Sequence, residues 1–193
     1  MRMSIDRRKL IVEAATQSFA LYGYKATTMD QVAKLASVGK GTIYTFFTTK
    51  EELFDEIMNT LIQDMKRVAD EEYDPARTFF DNLSRILSRM LDYREKHQLA
   101  HKMVQEVRDM GTPKATEGLD RIERALLGYI EVKIGAAVDK GELKPCDPAL
   151  TAFILVKLYF ALATEWPKSN ESLGKERMTE IFRLYLMDGI APH

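Results

Sequence analysis

Lys40, Gly41, Thr42, Tyr44 and Thr45 sit together in KGTIYTFF, a short helical pattern at 40–47. Ile43 and Phe47, four apart, form its inward side. The other five are small, polar or basic, which suits a helix lying against a nucleic-acid groove. Phosphate contacts would set the register, and only short side chains around Gly41 let such a helix sit deep. Covalent chemistry has far less to work with. His97 and His101 are four apart, the spacing of a two-histidine metal pair, but no third ligand is fixed, with only Glu106 and Asp109 in reach by sequence. A capping or solvated role for the histidines comes ahead of a metal. Cys146, between Pro145 and Asp147, is the single cysteine, so an internal disulfide or a thiol cluster for zinc is excluded. No nucleophile-base constellation or phosphate-cradling glycine loop is present, and neither enzyme activity nor a cofactor nor a metal is expected.

The elements that would hold the five residues in place are legible around them. Thr28 caps a helix whose buried side is Met29, Val32, Ala33 and Ala36, with Gln31 in capping-box position. Ser37-Val38-Gly39 makes the turn into KGTIYTFF, and Thr49-Lys50-Glu51-Glu52 is a second capping box that opens a long helix. An earlier helix over 5–22 buries Ile11, Ala14, Ala15, Phe19 and Tyr22 and stops at Gly23. No alternating strand pattern is found. The remaining helices are expected over 50–70, 76–96 (opened by Asp74-Pro75), 98–109, 117–140, 148–166 and 173–188. The fold class is all-α with nine helices. A boundary near Lys50 divides a helix-turn-helix domain, 1–49, from a helical body, 50–193, with the long fourth helix shared by both.

Charge is distributed to match. The 193 residues carry a net charge of −1, yet residues 1–50 hold eight Lys/Arg against three acids. That surplus of five leaves −6 for the rest, and local charge is what attracts a polyanion. The N-terminus is polar, with no secretory signal, and the most apolar run, 152–163, contains Lys157 and is too short to cross a bilayer. A reducing cytoplasm fits these features.

Over residues 8–54 the pattern AATQSFALYGYKATTMDQVAKLASVGKGTIYTFFTTKEELF resembles the TetR family of bacterial transcriptional regulators. Beyond residue 55 the likeness is one of length, helix count and helix order. The resemblance implies a nine-helix homodimer, usually a repressor, in which helices one to three bind a palindromic double-stranded operator. Helices five to seven would enclose a small-molecule effector and the last two would pair with the partner. It implies a recognition helix at 40–46 in which Lys40 and Tyr44 contact phosphates while Gly41, Thr42 and Thr45 approach bases or sugars. Thr28 and Lys50, each at a helix start, would also meet phosphates. Two departures stand out. The family commonly has Gly-Val-Ser in the turn, where this chain has Ser37-Val38-Gly39, so Gly39 caps without a side-chain acceptor. Phe46 stands where His or Tyr is favoured, and its contacts reduce to packing.

The body carries softer signals. The pattern at 148–166 is apolar almost all round and must be covered on several sides. A second copy is the economical cover, with Phe153, Val156 and Phe160 from this helix and Met178, Ile181, Phe182 and Tyr185 from the last one at the interface. The alternative is that both helices close the chain's own core. Polar, aromatic and thioether residues on apolar helices, namely Tyr93, His97, Met103, Tyr129, Lys133, Phe153, Lys157 and Trp166, are the candidates for an effector pocket. An apolar or amphipathic effector is expected. Three functions follow: a DNA-binding regulator released by that effector, a helical ligand-binding or adaptor protein without DNA affinity, and, last, a metal-dependent enzyme built on His97 and His101.

Overall fold

Helical periodicity translates into nine α-helices among the described residues of a computed structural model, and no strand is found there. It describes residues 6–96 and 98–187, excluding the side chains of 93–96, 164, 168, 186 and 187. The helices are α1 (Arg7–Ala26), α2 (Met29–Leu35), α3 (Lys40–Phe46), α4 (Lys50–Glu72), α5 (Phe79–Lys96), α6 (Gln98–Met110), α7 (Pro113–Asp139), α8 (Pro148–Phe160) and α9 (Lys175–Phe182). A π-helical turn Ala161–Glu165 and a 3₁₀ turn Trp166–Lys168 follow α8, and a second π-helical turn, Arg183–Met187, follows α9.

Several boundaries differ from the sequence reading, each for a local reason. Gly23 does break α1, at φ 86° and ψ 170°, but one further turn carries the helix on to Ala26. Asp74 does not cap α5. Its side chain accepts from the Ala76 N–H at 3.0 Å and so closes a turn, and buried Asn82 bonds both the N–H and the carbonyl of Asp74. The cap falls to Thr78, whose hydroxyl takes the Asp81 N–H at 3.2 Å. Pro113, read as part of a break, is instead the first residue of α7, where its missing N–H costs nothing.

The chain divides into two compact units, 1–63 with 94–121 and 64–93 with 122–193. In the first, α1 packs on α2 and α6, and α2 on α3. Phe19, Tyr24 and Phe54 form an aromatic triangle with centroids 5.0–5.7 Å apart. Phe19, Phe54, Ile11, Ile43, Leu53, Met58 and Met103 are its fully buried bulk. Gly118 on α7 lets the backbone approach closely, since a Cβ there would stand 3.1 Å from Phe54 and 3.3 Å from the Met103 sulfur. The second unit has its own core, built from Phe79, Phe80, Leu87, Ile134, Leu155, Met178 and Phe182 among others. No described helix is long and apolar enough to cross a membrane.

Candidate nucleic-acid interface

The first unit presents α3 on a framework of small, specific bonds. Thr28 caps α2 in a complete capping box: its hydroxyl accepts the Gln31 N–H at 3.3 Å, and the Gln31 carbonyl oxygen accepts the Thr28 N–H at 2.9 Å. The turn is held at Ser37, a non-glycine residue at φ 54°. Left-handed backbone strains any side chain bearing a Cβ, so the strain falls on Ser37 while Gly39, at φ −67°, has no need of glycine's freedom. Gly39 caps α3 with no side-chain bond. Ile43 and Phe47 are buried and anchor the helix. The Arg8 guanidinium lies 5.1 Å over the Phe47 ring and bonds Glu56 at 2.8 Å, which holds the Glu56 carboxyl below its usual range.

The second capping box is displaced by one residue. Thr49 accepts the Glu52 N–H at 3.1 Å, but the Glu52 carboxylate reaches back to the N–H and hydroxyl of Thr48 rather than to Thr49. Lys50 turns inward. Its ammonium donates to the carbonyls of Tyr24 at 2.9 Å and Thr27 at 3.0 Å and lies 4.3 Å over the Tyr24 ring. It therefore ties α4 to the end of α1, with one N–H left over. Tyr24 donates to Glu51 at 2.6 Å; burial first, and then this carboxylate, push the phenol upward, while the bond holds Glu51 below its usual range.

On the outward side of α3, Lys40, Gly41, Tyr44, Thr45 and Phe46 are exposed and Thr42 is half-buried. Lys40 bonds Asp30 of α2 at 2.8 Å, which raises its pKa. Thr45 donates its hydroxyl to the Thr42 carbonyl at 2.7 Å. Gly41 is the informative position. It has ordinary helical φ, and no atom outside its own helix backbone lies within 4 Å of where a Cβ would stand. Neither conformation nor internal packing asks for glycine there, although glycine weakens a helix relative to alanine. Gly128 and Gly135, inside α7, are equally unconstrained, and Gly41 differs from them in lying on the exposed face of the helix-turn-helix.

Residues 11–57 match the model for bacterial regulatory proteins of the tetR family. The chain is 52% identical over 189 residues to the uncharacterized HTH-type transcriptional regulator YhgD of Bacillus subtilis (strain 168), spanning 98% of this chain and 99% of that one. The chain belongs to the TetR family. One further relative and one solved structure of the same fold are also similar to this TetR-family chain. The fatty acid metabolism regulator protein of Bacillus subtilis (strain 168) is 29% identical over 199 residues, covering 98% of each chain. The structure of the fatty acid degradation regulator FadR from Bacillus halodurans superposes with a TM-score of 0.75 at 17% identity, over 97% of this chain and 98% of that one. This is a TetR-type transcriptional regulator with a DNA-binding helix-turn-helix.

The residues suggested for an effector are scattered through this TetR-family chain. The side chain of Tyr93, and His97 altogether, lie outside the described residues. Met103 is fully buried in the core of the first unit. In the second unit Lys133 is packed 3.8 Å over Tyr73 and 5.2 Å over Tyr129, which itself donates to Asp70 at 2.9 Å. Lys157 pairs with Glu123 beside Phe153, and Trp166 is exposed. Among the described residues no group of three metal-ligating side chains occurs.

Of the residues suggested for dimerisation, Val156, Met178 and Phe182 turn inward and are buried. Met178 and Phe182 belong to the second unit's core. Phe160 and Ile181 are half-buried, while Phe153 and Tyr185 are exposed. The apolar residues left open on α8 and after α9 are Leu150, Phe153, Ile154, Leu184 and Tyr185. An all-round apolar pattern shows that α8 must be covered, but not which side the chain covers itself. What the sequence concealed lies in long-range pairs: Lys50 with Tyr24, Arg8 with Phe47, and Glu106 with Lys25, whose N–H its carboxylate accepts at 2.9 Å.

Proposed function

We propose that the protein is a dimeric cytoplasmic repressor that releases a palindromic operator when a small apolar or amphipathic effector binds. Gly41 carries the DNA half of this reading. It is an unneeded glycine opposite a buried anchor, on a segment with a surplus of five positive charges. Residues 1–49 read the DNA and 50–193 bind effector and partner. Lys40 and Tyr44 take phosphates, as does Thr28 at the start of α2. Gly41, Thr42 and Thr45 meet bases or sugars, and Lys50 braces α4 while offering its remaining N–H to the backbone. A second copy covers Leu150, Phe153 and Ile154, which recur on one face of α8, together with Leu184 and Tyr185. The two recognition helices then stand ~34–36 Å apart, matching successive major grooves.

The effector class is supported by the apolar body and by one relative and one solved structure named for fatty acid metabolism and degradation. Acyl-CoAs are the first compounds to try. Effector binding acts through α4 on the separation of the two readers. Shifting occupancy from 99:1 to 1:99 takes ~5.5 kcal/mol of differential affinity. Fluorescence anisotropy on duplex DNA from upstream of the gene, over a salt series, tests the reading. Binding by two chains per site with a steep salt dependence, reversed by acyl-CoA, is expected. No salt-dependent binding to any duplex would reject it.

A further inference from the structure

The outward face of α3 is poor in groups that read bases by hydrogen bonding. It carries no Arg, Asn or Gln to make paired bonds to base edges, and no Asp or Glu to accept from cytosine. Lys40 is the single cation on the helix, and its ammonium is drawn 2.8 Å from Asp30. At about 100° per residue, Thr45 lies about 180° from the midpoint between buried Ile43 and Phe47. It therefore faces whatever α3 faces. Its hydroxyl proton is already committed to the Thr42 carbonyl at 2.7 Å, so the hydroxyl can only accept, and the methyl is the branch that offers apolar contact. Phe46 follows it, exposed and wholly apolar at its tip. Gly41 beside them contributes no side chain at all.

The thymine C5-methyl is the one apolar group that base pairs display in the major groove. We propose that Thr45, flanked by Phe46, reads the thymine methyl, so that part of this regulator's operator specificity is apolar contact rather than hydrogen bonding. The inference rests on α3 being the DNA-reading helix and deepens that assignment by naming the feature it reads. The Thr42 hydroxyl, which makes no bond among the described residues, is left to supply a polar contact beside it.

The test begins with full-length protein selecting duplexes from a random library. Each thymine of the selected site is then replaced singly by deoxyuridine, which lacks only the methyl, and Kd is measured at fixed salt. Wild type should lose about three- to fivefold at the position facing Thr45, the scale of one buried methyl. Thr45→Ser keeps the hydroxyl and loses the methyl, and should show no penalty there. Thr45→Val keeps a methyl branch and should retain the penalty, with melting temperatures showing that both variants fold. A wild-type series flat within twofold, a penalty that survives in Thr45→Ser, or one that vanishes in Thr45→Val overturns the inference while leaving DNA binding intact. Failure to select any duplex would overturn the DNA reading itself, and this inference with it.

Discussion

Glu106 on α6 accepts the backbone N–H of Lys25 at 2.9 Å, two residues after Gly23 reverses the backbone at φ 86°. The carboxylate is 5% exposed, and a Cβ on Gly23 would overlap its other oxygen. A buried carboxylate needs such a partner, and the kink needs a residue without a Cβ. The end of α1 and the middle of α6 are thus fastened by one bond that neither helix's own pattern announces.

Gly23→Ala should destabilise by about 1–3 kcal/mol from backbone strain, with a further loss as Glu106 is pushed off Lys25. Glu106→Ala should cost about 2 kcal/mol. The double variant should fall short of the sum, because removing the carboxylate also removes the overlap. Urea midpoints of the four proteins read this coupling, and strict additivity would argue against it.

The turn between α2 and α3 should be improvable. Ser37 occupies left-handed backbone at φ 54°, and Gly39 caps α3 with no acceptor. Ser37→Gly should stabilise by about 1 kcal/mol and Gly39→Ser by a few tenths of a kcal/mol. Thermal melting of each variant checks both, and a lowered midpoint for Ser37→Gly would contradict the strain at this position.

On the proposed reading, in which Lys40 takes a phosphate, Asp30 competes with DNA for its ammonium. The pair is solvent-exposed and contributes little to stability. Asp30→Asn should leave the melting temperature unchanged and tighten DNA binding, most at low salt. Lys40→Ala should weaken binding to all duplexes alike and reduce the salt slope by ~0.9. A sequence-selective loss in Lys40→Ala would mean that this lysine reads bases.

Stability should fall on acidification in a defined window. Hydrogen bonds from Tyr24 and Arg8 hold Glu51 and Glu56 below the ordinary 4.5. With folded pKa values below unfolded ones, their contribution is fully present above about pH 4.5 and is lost as pH falls through the folded values. Melting temperatures between pH 6 and 3 should therefore drop less steeply for Glu51→Gln/Glu56→Gln than for wild type. Identical slopes would show that these bonds do not discriminate between protonation states.

The helix class, the capping box at Thr28 and the inward Ile43 and Phe47 were legible because each depends on residues three or four apart. Thr78 displaced Asp74 as a cap because buried Asn82, eight residues away, fixed Asp74 in a turn. Val156, Met178 and Phe182 were read as interface residues and lie inside, since an apolar residue type does not say which of two apolar neighbours covers it. Lys50 was legible as a basic residue at a helix start. Its inward bonds to Tyr24 and Thr27 depend on a fold that brings residues more than twenty apart together.

The most direct measurement is the affinity of Gly41→Leu for a selected duplex, taken beside its melting temperature. No atom outside its own helix backbone lies near a Cβ at this position, and leucine favours helix over glycine. The variant should therefore melt at or above the wild-type temperature and lose DNA affinity by about two orders of magnitude, as expected when about 2.8 kcal/mol of close groove contact is forfeited. Wild-type affinity in a folded Gly41→Leu protein would contradict the placement of α3 in a DNA groove.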